Sequence, residues 1–324
     1  MCNITVNCQN FTGNHVALNG QHSRRISMFA VFRAILTVGA QRFPEIFWDW
    51  PWLYRAGMGL SAFSFLARQG DNLCLSAQYA ELDMSEKAVM SFWYGMAFAK
   101  LAAESELDVS WLGYVDRMRQ DGSLTISSGS NQRPDFAGRD LNGAWHVIEA
   151  KGRHRRPALR LIAQAKRQAG NVQTIKNQPP ATTLACITSL STQEISVLMD
   201  DPEPPSEGKG EDWKIDEHKF FGNYYRPFVK YLNAFGHGQR KEHDRTYITA
   251  PLFLSDWEFI YRRRPPRDFR EWRLELGLLA DIYKAPENAP RAVEELPHDE
   301  KGKIGRDGIA IFGEMPEWQE WKGV

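Results

Sequence analysis

Apolar residues recur along the chain with two different periods, and the change between them divides it. Residues 26–40 are almost wholly apolar, interrupted by Arg33, and predict a buried helix. The run is shorter than the roughly 20 residues needed to cross a bilayer, so no membrane association is expected. Residues 85–106 predict the clearest helix. Ser85 is placed to cap it and Glu86 lies at the positive end of its dipole. Met90, Tyr94, Ala97 and Leu101 form an inward stripe that leads on to Glu104. Gly95 is that helix's one weak position. Between 111 and 151 the period shortens towards two. WLGYVD, SLTIS, PDFAGRD and WHVIEAKG are short strand-like stretches separated by turn signals, and Asn142-Gly143 marks a hairpin. Residues 159–175 return to a helical pattern after Pro157, and TTLACITSL at 182–190 predicts a buried strand.

The flanks are less regular. Residues 1–25 are rich in Asn, Gln, Gly and His and are expected to be irregular, whereas the aromatic cluster FWDWPWLY at 47–54 reads as local core. DDPEPPSEGKGED at 200–212 is acidic and rich in Pro and Gly, as solvated loops are. Beyond it lie an aromatic, basic stretch at 219–235, a strand pattern at 246–254 and the arginine-rich RRRPPRDFREWR at 262–273. The division expected from these shifts is an N-terminal helical and aromatic region over 1–84, a core over 85–199, a loop over 200–218 and an α/β extension over 219–324.

Composition narrows the function classes only locally. The chain has 324 residues, 43% hydrophobic and 25% charged, enough to bury a large core. Forty basic and forty acidic side chains cancel, so a polyanion site has to come from a local charge run. Such a run exists: Lys151, Arg153, Arg155, Arg156, Arg160, Lys166 and Arg167 follow one another without an Asp or Glu. The four cysteines are scattered without a CxxC pair and no early apolar leader is present, so a reducing, cytoplasmic location is expected.

The chemistry concentrates on Asp135, Glu149 and Lys151, which the strand pattern places on two adjacent strands. Alternation puts Glu149 and Lys151 on one face with Val147, and His146 on the other. Two carboxylates and an ammonium are what phosphodiester hydrolysis requires: oxygen ligands for a hard cation, and positive charge where negative charge builds up. Pro134-Asp135 followed by Glu149-Ala150-Lys151 resembles the signature of the PD-(D/E)XK, or restriction-endonuclease-like, nucleases.

That resemblance covers about a third of the chain and implies a mixed central sheet flanked by helices, in the order helix, three strands, helix, strand. It implies Asp135 and Glu149 as ligands of Mg2+, with Mn2+ as a substitute. Lys151 would orient or deprotonate water, or stabilise the phosphate's developing charge. It further implies a glutamate on the first helix, for which Glu104 is the best-placed match and Glu106 and Glu86 are competitors. Nucleic-acid contacts are expected from Arg153, Arg155, Arg156, Gln164, Lys166 and Gln168. The partner expected is nucleic acid, DNA before RNA, with a homodimer or a partner protein where both strands are cut. Its rival is a nuclease-like module that binds or assembles without turnover.

Overall fold

The computed structural model describes residues 1–39, 50–127, 133–154, 158–201, 210–235, 238–252, 274–297, 299–315 and 317–321, with only the backbone described at 50–53. The arginine-rich stretch at 262–273, Arg155 and Arg156, and residues 47–49 of the 47–54 aromatic cluster lie outside these residues.

The chain opens on a strand, β1 (Cys2–Gln9), and a second, β2 (Gly20–Ile26), pairs antiparallel to it. The expectation of an irregular start is therefore corrected. Cys2, Ile4, Val6 and Cys8 are buried while Asn3, Thr5 and Asn7 are half-exposed, a period-two pattern that the polar composition obscured. The helix α1 (Met28–Thr37) follows, capped by the Ser27 hydroxyl, and packs against α2 (Trp50–Phe65). Next come the hairpin β3 (Leu66–Gln69) and β4 (Asn72–Leu75), and the short α3 (Ala77–Glu81).

The segment that builds the site begins with α4 (Met84–Leu107), capped by Asp83 rather than Ser85. Asp83 and Glu86 exchange side-chain and backbone hydrogen bonds in a capping box, and Ser85 bonds to Asp83. Then follow β5 (Val109–Tyr114), α5 (Val115–Gln120), β6 (Leu124–Ile126), β7 (Phe136–Asp140) and β8 (Trp145–Arg153). The turn between β7 and β8 carries Gly143 at φ +92°, where a side chain would be strained. The next elements are α6 (Leu159–Ala169), β9 (Val172–Ile175), β10 (Thr182–Leu190) and β11 (Ile195–Asp200). The helix expected over 159–175 thus ends at Ala169, and its last residues belong to β9 instead.

All of these strands except β6 and β9 form one mixed sheet in the order β3-β4-β1-β11-β10-β8-β7-β5, with β2 paired to β1. Strands β5, β7 and β8 run antiparallel in sequence and β10 lies parallel to β8. The N-terminal residues complete this sheet through the parallel β1–β11 pair, so the boundary expected at residue 84 does not separate two cores. Helices cover both faces. Ala165 and Ile162 of α6 pack on Ala185, Ile187 and Leu198, whereas α4 crosses the opposite face, where Gly95 meets Gly152 and its carbonyl accepts from Thr188.

Part of the loop expected over 200–218 is a strand, β12 (Glu211–Ile215), paired with β6 and β9 in a small second sheet. The helix α7 (Glu217–Ala234) carries the aromatic stretch, burying Phe220, Phe221, Tyr224, Tyr225 and Phe228. A third sheet joins β13 (Gly238–Glu242), β14 (Arg245–Pro251), β15 (Glu275–Leu279) and β16 (Ile309–Phe312). Among the described residues no helix is long and apolar enough to cross a membrane.

Candidate active site

Asp135 immediately precedes β7, and Glu149 and Lys151 lie on β8 two residues apart, so pairing of the two strands sets the distance between the acids. The backbone finishes the job. The Asp135 amide donates to Glu149 Oε2 at 3.0 Å, and the Ala150 amide donates to Asp135 Oδ2 at 3.0 Å. Lys151 Nζ lies 3.5 Å from Asp135 Oδ2 and directly on Glu149 Oε1. The three residues expected to converge therefore do, with Glu149 and Lys151 on one face of the strand. His146, on the other face, is fully buried with Nδ1 at 2.9 Å from the Thr182 hydroxyl.

Beyond its pairing with β7, β8 continues, among the described residues, alongside β10 only, and this edge opens onto a cleft of about 220 Å³. Asp135, Lys151, Arg153 and His154 line it together with Met84, Ala88, Ser91 and Phe92 of α4. Glu149 sits beneath, its side chain fully buried, while those of Asp135 and Lys151 are 33% and 23% exposed. Burial raises the Glu149 carboxyl to about 7, Asp135 adds to the shift, and Lys151 opposes it. Burial pulls the Lys151 ammonium down, but Asp135 and Glu149 outweigh it and hold it above its ordinary value. A carboxylate that is costly to ionise, next to a lysine kept charged, is a place where added positive charge is welcome.

The donor set fits a hard divalent cation. It consists of carboxylate oxygens, and among the described residues buried Glu149 Oε1 accepts no hydrogen bond apart from its ion pair with the Lys151 ammonium. Asp135 and Glu149 are the residues that would hold such an ion.

No protein-family model, curated protein or solved structure matches this chain.

The other expected site residues are placed differently. Glu104 does point inward, as its stripe requires, but the inward face at that end of α4 meets α1. Its carboxylate accepts from Arg33 at 2.9 and 3.2 Å and pairs with Lys100 at 2.9 Å. Gly95 marks where α4 crosses β8, so Glu104, nine residues on, lies roughly 14 Å further along the axis. Its assignment as a metal ligand beside Asp135 is corrected. Burial would raise its pKa, but Arg33 and Lys100 hold it down at about 2. Its stabilising charge is therefore present above the ordinary carboxyl range and is lost as pH falls towards 2. Asp307 completes this buried network, 3.5 Å from Lys100 and accepting from the Tyr224 hydroxyl at 2.9 Å.

Glu106 is no substitute. Arg24 grips both its oxygens at 2.6 and 2.7 Å, and His22 Nδ1 lies 2.7 Å away. Cys8, His22 and Glu106 bring ligand-type atoms within 4.8 Å of one another, yet the guanidinium already neutralises the carboxylate, and burial raises the Cys8 thiol to about 12. We read this group as an ion-pair cluster. Glu86 is spent on the helix cap. Of the expected nucleic-acid contacts, Arg153 lines the cleft. Gln164, Lys166 and Gln168 do not, since Gln164 is exposed elsewhere on α6, Lys166 pairs with Asp200 at 2.9 Å and Gln168 is half-buried. Met84, Ala88 and Phe92, which sequence reasoning missed, complete the cleft; their spacing of four residues was the available signal.

Proposed function

We propose that this protein is a metal-dependent nuclease that hydrolyses phosphodiester bonds of nucleic acid, DNA in the first instance, at the cleft formed by Asp135, Glu149 and Lys151. The observation that carries the reading is the convergence of two carboxylates and a lysine at this edge of β8, with Arg153 and His154 alongside. Within the main sheet, α4 is followed by the antiparallel β5, β7 and β8, then α6 and the parallel β10, with α5, β6 and β9 as insertions. Apart from those insertions this order agrees with the one expected of a restriction-endonuclease-like core and supports the reading.

In this reading Asp135 and Glu149 hold Mg2+, or Mn2+ in its place, which when bound lowers the pKa of water and offsets charge on the phosphate. Lys151 keeps its proton, because the two carboxylates stabilise the ammonium, and so acts as a fixed positive charge facing the phosphate's developing charge. Arg153 and His154 flank the path of the backbone and position it.

One observation favours the rival reading of a binding module without turnover: among the described residues the cleft has no third carboxylate once Glu104 and Glu106 are assigned to ion pairs. Two acidic ligands are enough for Mg2+, which keeps several of its waters, so hydrolysis remains the conclusion. The test is incubation of supercoiled plasmid, linear duplex, single-stranded DNA and RNA with the protein in Mg2+, Mn2+ or EDTA. Cutting of at least one DNA substrate in either metal, stopped by EDTA, is expected. Binding without cutting on every substrate would establish the rival.

A further inference from the structure

The cleft has a wall that phosphodiester chemistry alone does not use. Met84, Ala88 and Phe92 stand on successive turns of α4 and line the cleft together with Lys151 and Arg153. Met84 is 68% and Phe92 55% exposed, although both are apolar and lie in a helix that buries most of its other large apolar side chains. The Phe92 ring meets Trp93 edge-on with centroids 6.1 Å apart. Trp93, itself buried, meets Tyr54 at 5.6 Å and donates its indole hydrogen to the Tyr54 hydroxyl at 3.1 Å, and Tyr54 is 51% exposed. Two outward-facing rings are thus fixed by one buried tryptophan, and one of them lines the cleft.

We infer that this wall is a base-stacking subsite and that the substrate enters the cleft as a single or locally unpaired strand, its phosphates towards Lys151 and Arg153 and a base against Phe92. The inference rests on the nuclease reading of the cleft. An intact duplex offers an approaching protein its phosphates and groove edges while the faces of its bases are stacked inside, so an exposed aromatic wall has nothing to hold. An unpaired base presents its π-face, and a groove that combines positive charge with aromatic rings recognises single strands. A volume of about 220 Å³ is also smaller than pockets for drug-sized ligands, which suits one unstacked base rather than a base pair.

The test uses fluorescence anisotropy in EDTA, so that binding is read without cleavage. A labelled single-stranded 20-mer and its duplex are titrated with wild type, Phe92→Ala and Phe92→Trp. Phe92→Ala is expected to weaken single-strand binding roughly ten- to a hundredfold. Duplex binding stays within about twofold of wild type, and Phe92→Trp restores single-strand affinity. Unchanged single-strand binding in Phe92→Ala, or an equal loss on both ligands, would overturn the inference. Phe92-dependent binding by a protein that cuts nothing would keep the subsite and remove the nuclease reading, whereas cutting of single strands indifferent to Phe92 would do the reverse.

Discussion

Glu149→Gln is expected to lower the rate of DNA cleavage by at least about a hundredfold while leaving the protein as stable as wild type or more so. On the proposed reading the loss follows from removing one of the two carboxylates that would gather the metal, and Lys151→Ala should cost a similar factor by removing the fixed cation. The stability side follows from the sign of the shift. The folded state raises the Glu149 carboxyl above its ordinary value, to about 7, so its ionised form opposes folding at neutral pH and above. Glutamine keeps an oxygen for the Asp135 amide and removes the buried charge, while Asp135, 3.5 Å from Lys151 Nζ, stays as the counter-charge of the ammonium. Urea unfolding beside a cleavage time course reads both effects. A variant that loses activity only because it unfolds would show that Glu149 is an architectural residue. Undiminished cleavage would place the chemistry elsewhere.

Gly152→Ala is expected to destabilise the fold by about 3 kcal/mol or more and to lose activity with it. A Cβ at Gly152 would fall inside the Ser91 carbonyl and lie 2.9 Å from the Gly95 Cα, so the α4 backbone itself would have to move off β8. Lys151 is the preceding residue, and on the proposed reading displacement of its strand by about 1 Å would cost activity. Gly95→Ala makes the sharper comparison. In an ordinary helix interior this change gains up to about 1 kcal/mol from propensity, but here the new Cβ would lie 2.5 Å from the Gly152 amide nitrogen. Gly222, in α7, has open space where a Cβ would go, so Gly222→Ala should raise the unfolding midpoint while Gly95→Ala lowers it. Equal shifts from the two substitutions would contradict the close crossing of α4 on β8.

How much of this could be read from the sequence depended on the range over which each signal acts. The β8 motif was legible because alternation within a single strand decides that Glu149 and Lys151 share a face, and Asn142-Gly143 brings Asp135 within reach of them. Strand β10 was legible for a similar local reason, as a short run built on the apolar Leu184–Ile187 stretch with β-branched threonines on either side. Glu104 was misplaced because its inward direction is local information, whereas its neighbour there, Arg33, lies 71 positions away and arrives through the packing of α1 on α4. The start of the chain shows the opposite failure: the alternation from Cys2 to Cys8 was present, but the polar alternate positions were read as loop composition. The weak Gly95 of the helix pattern turns out to be the point at which α4 approaches β8, a contact that two distant glycines together permit. Phe92 was invisible as a site residue because its significance lies in its exposure beside the cleft, which the sequence does not carry.

The decisive measurement is the binding of Mn2+ by electron paramagnetic resonance in wild type, Asp135→Asn and Glu149→Gln, each confirmed to be folded. One bound Mn2+ per chain in the wild type, lost in both variants, is the result predicted for carboxylates that gather a divalent ion beside Lys151. No bound Mn2+ in the wild type, or the same occupancy in all three proteins, would contradict it.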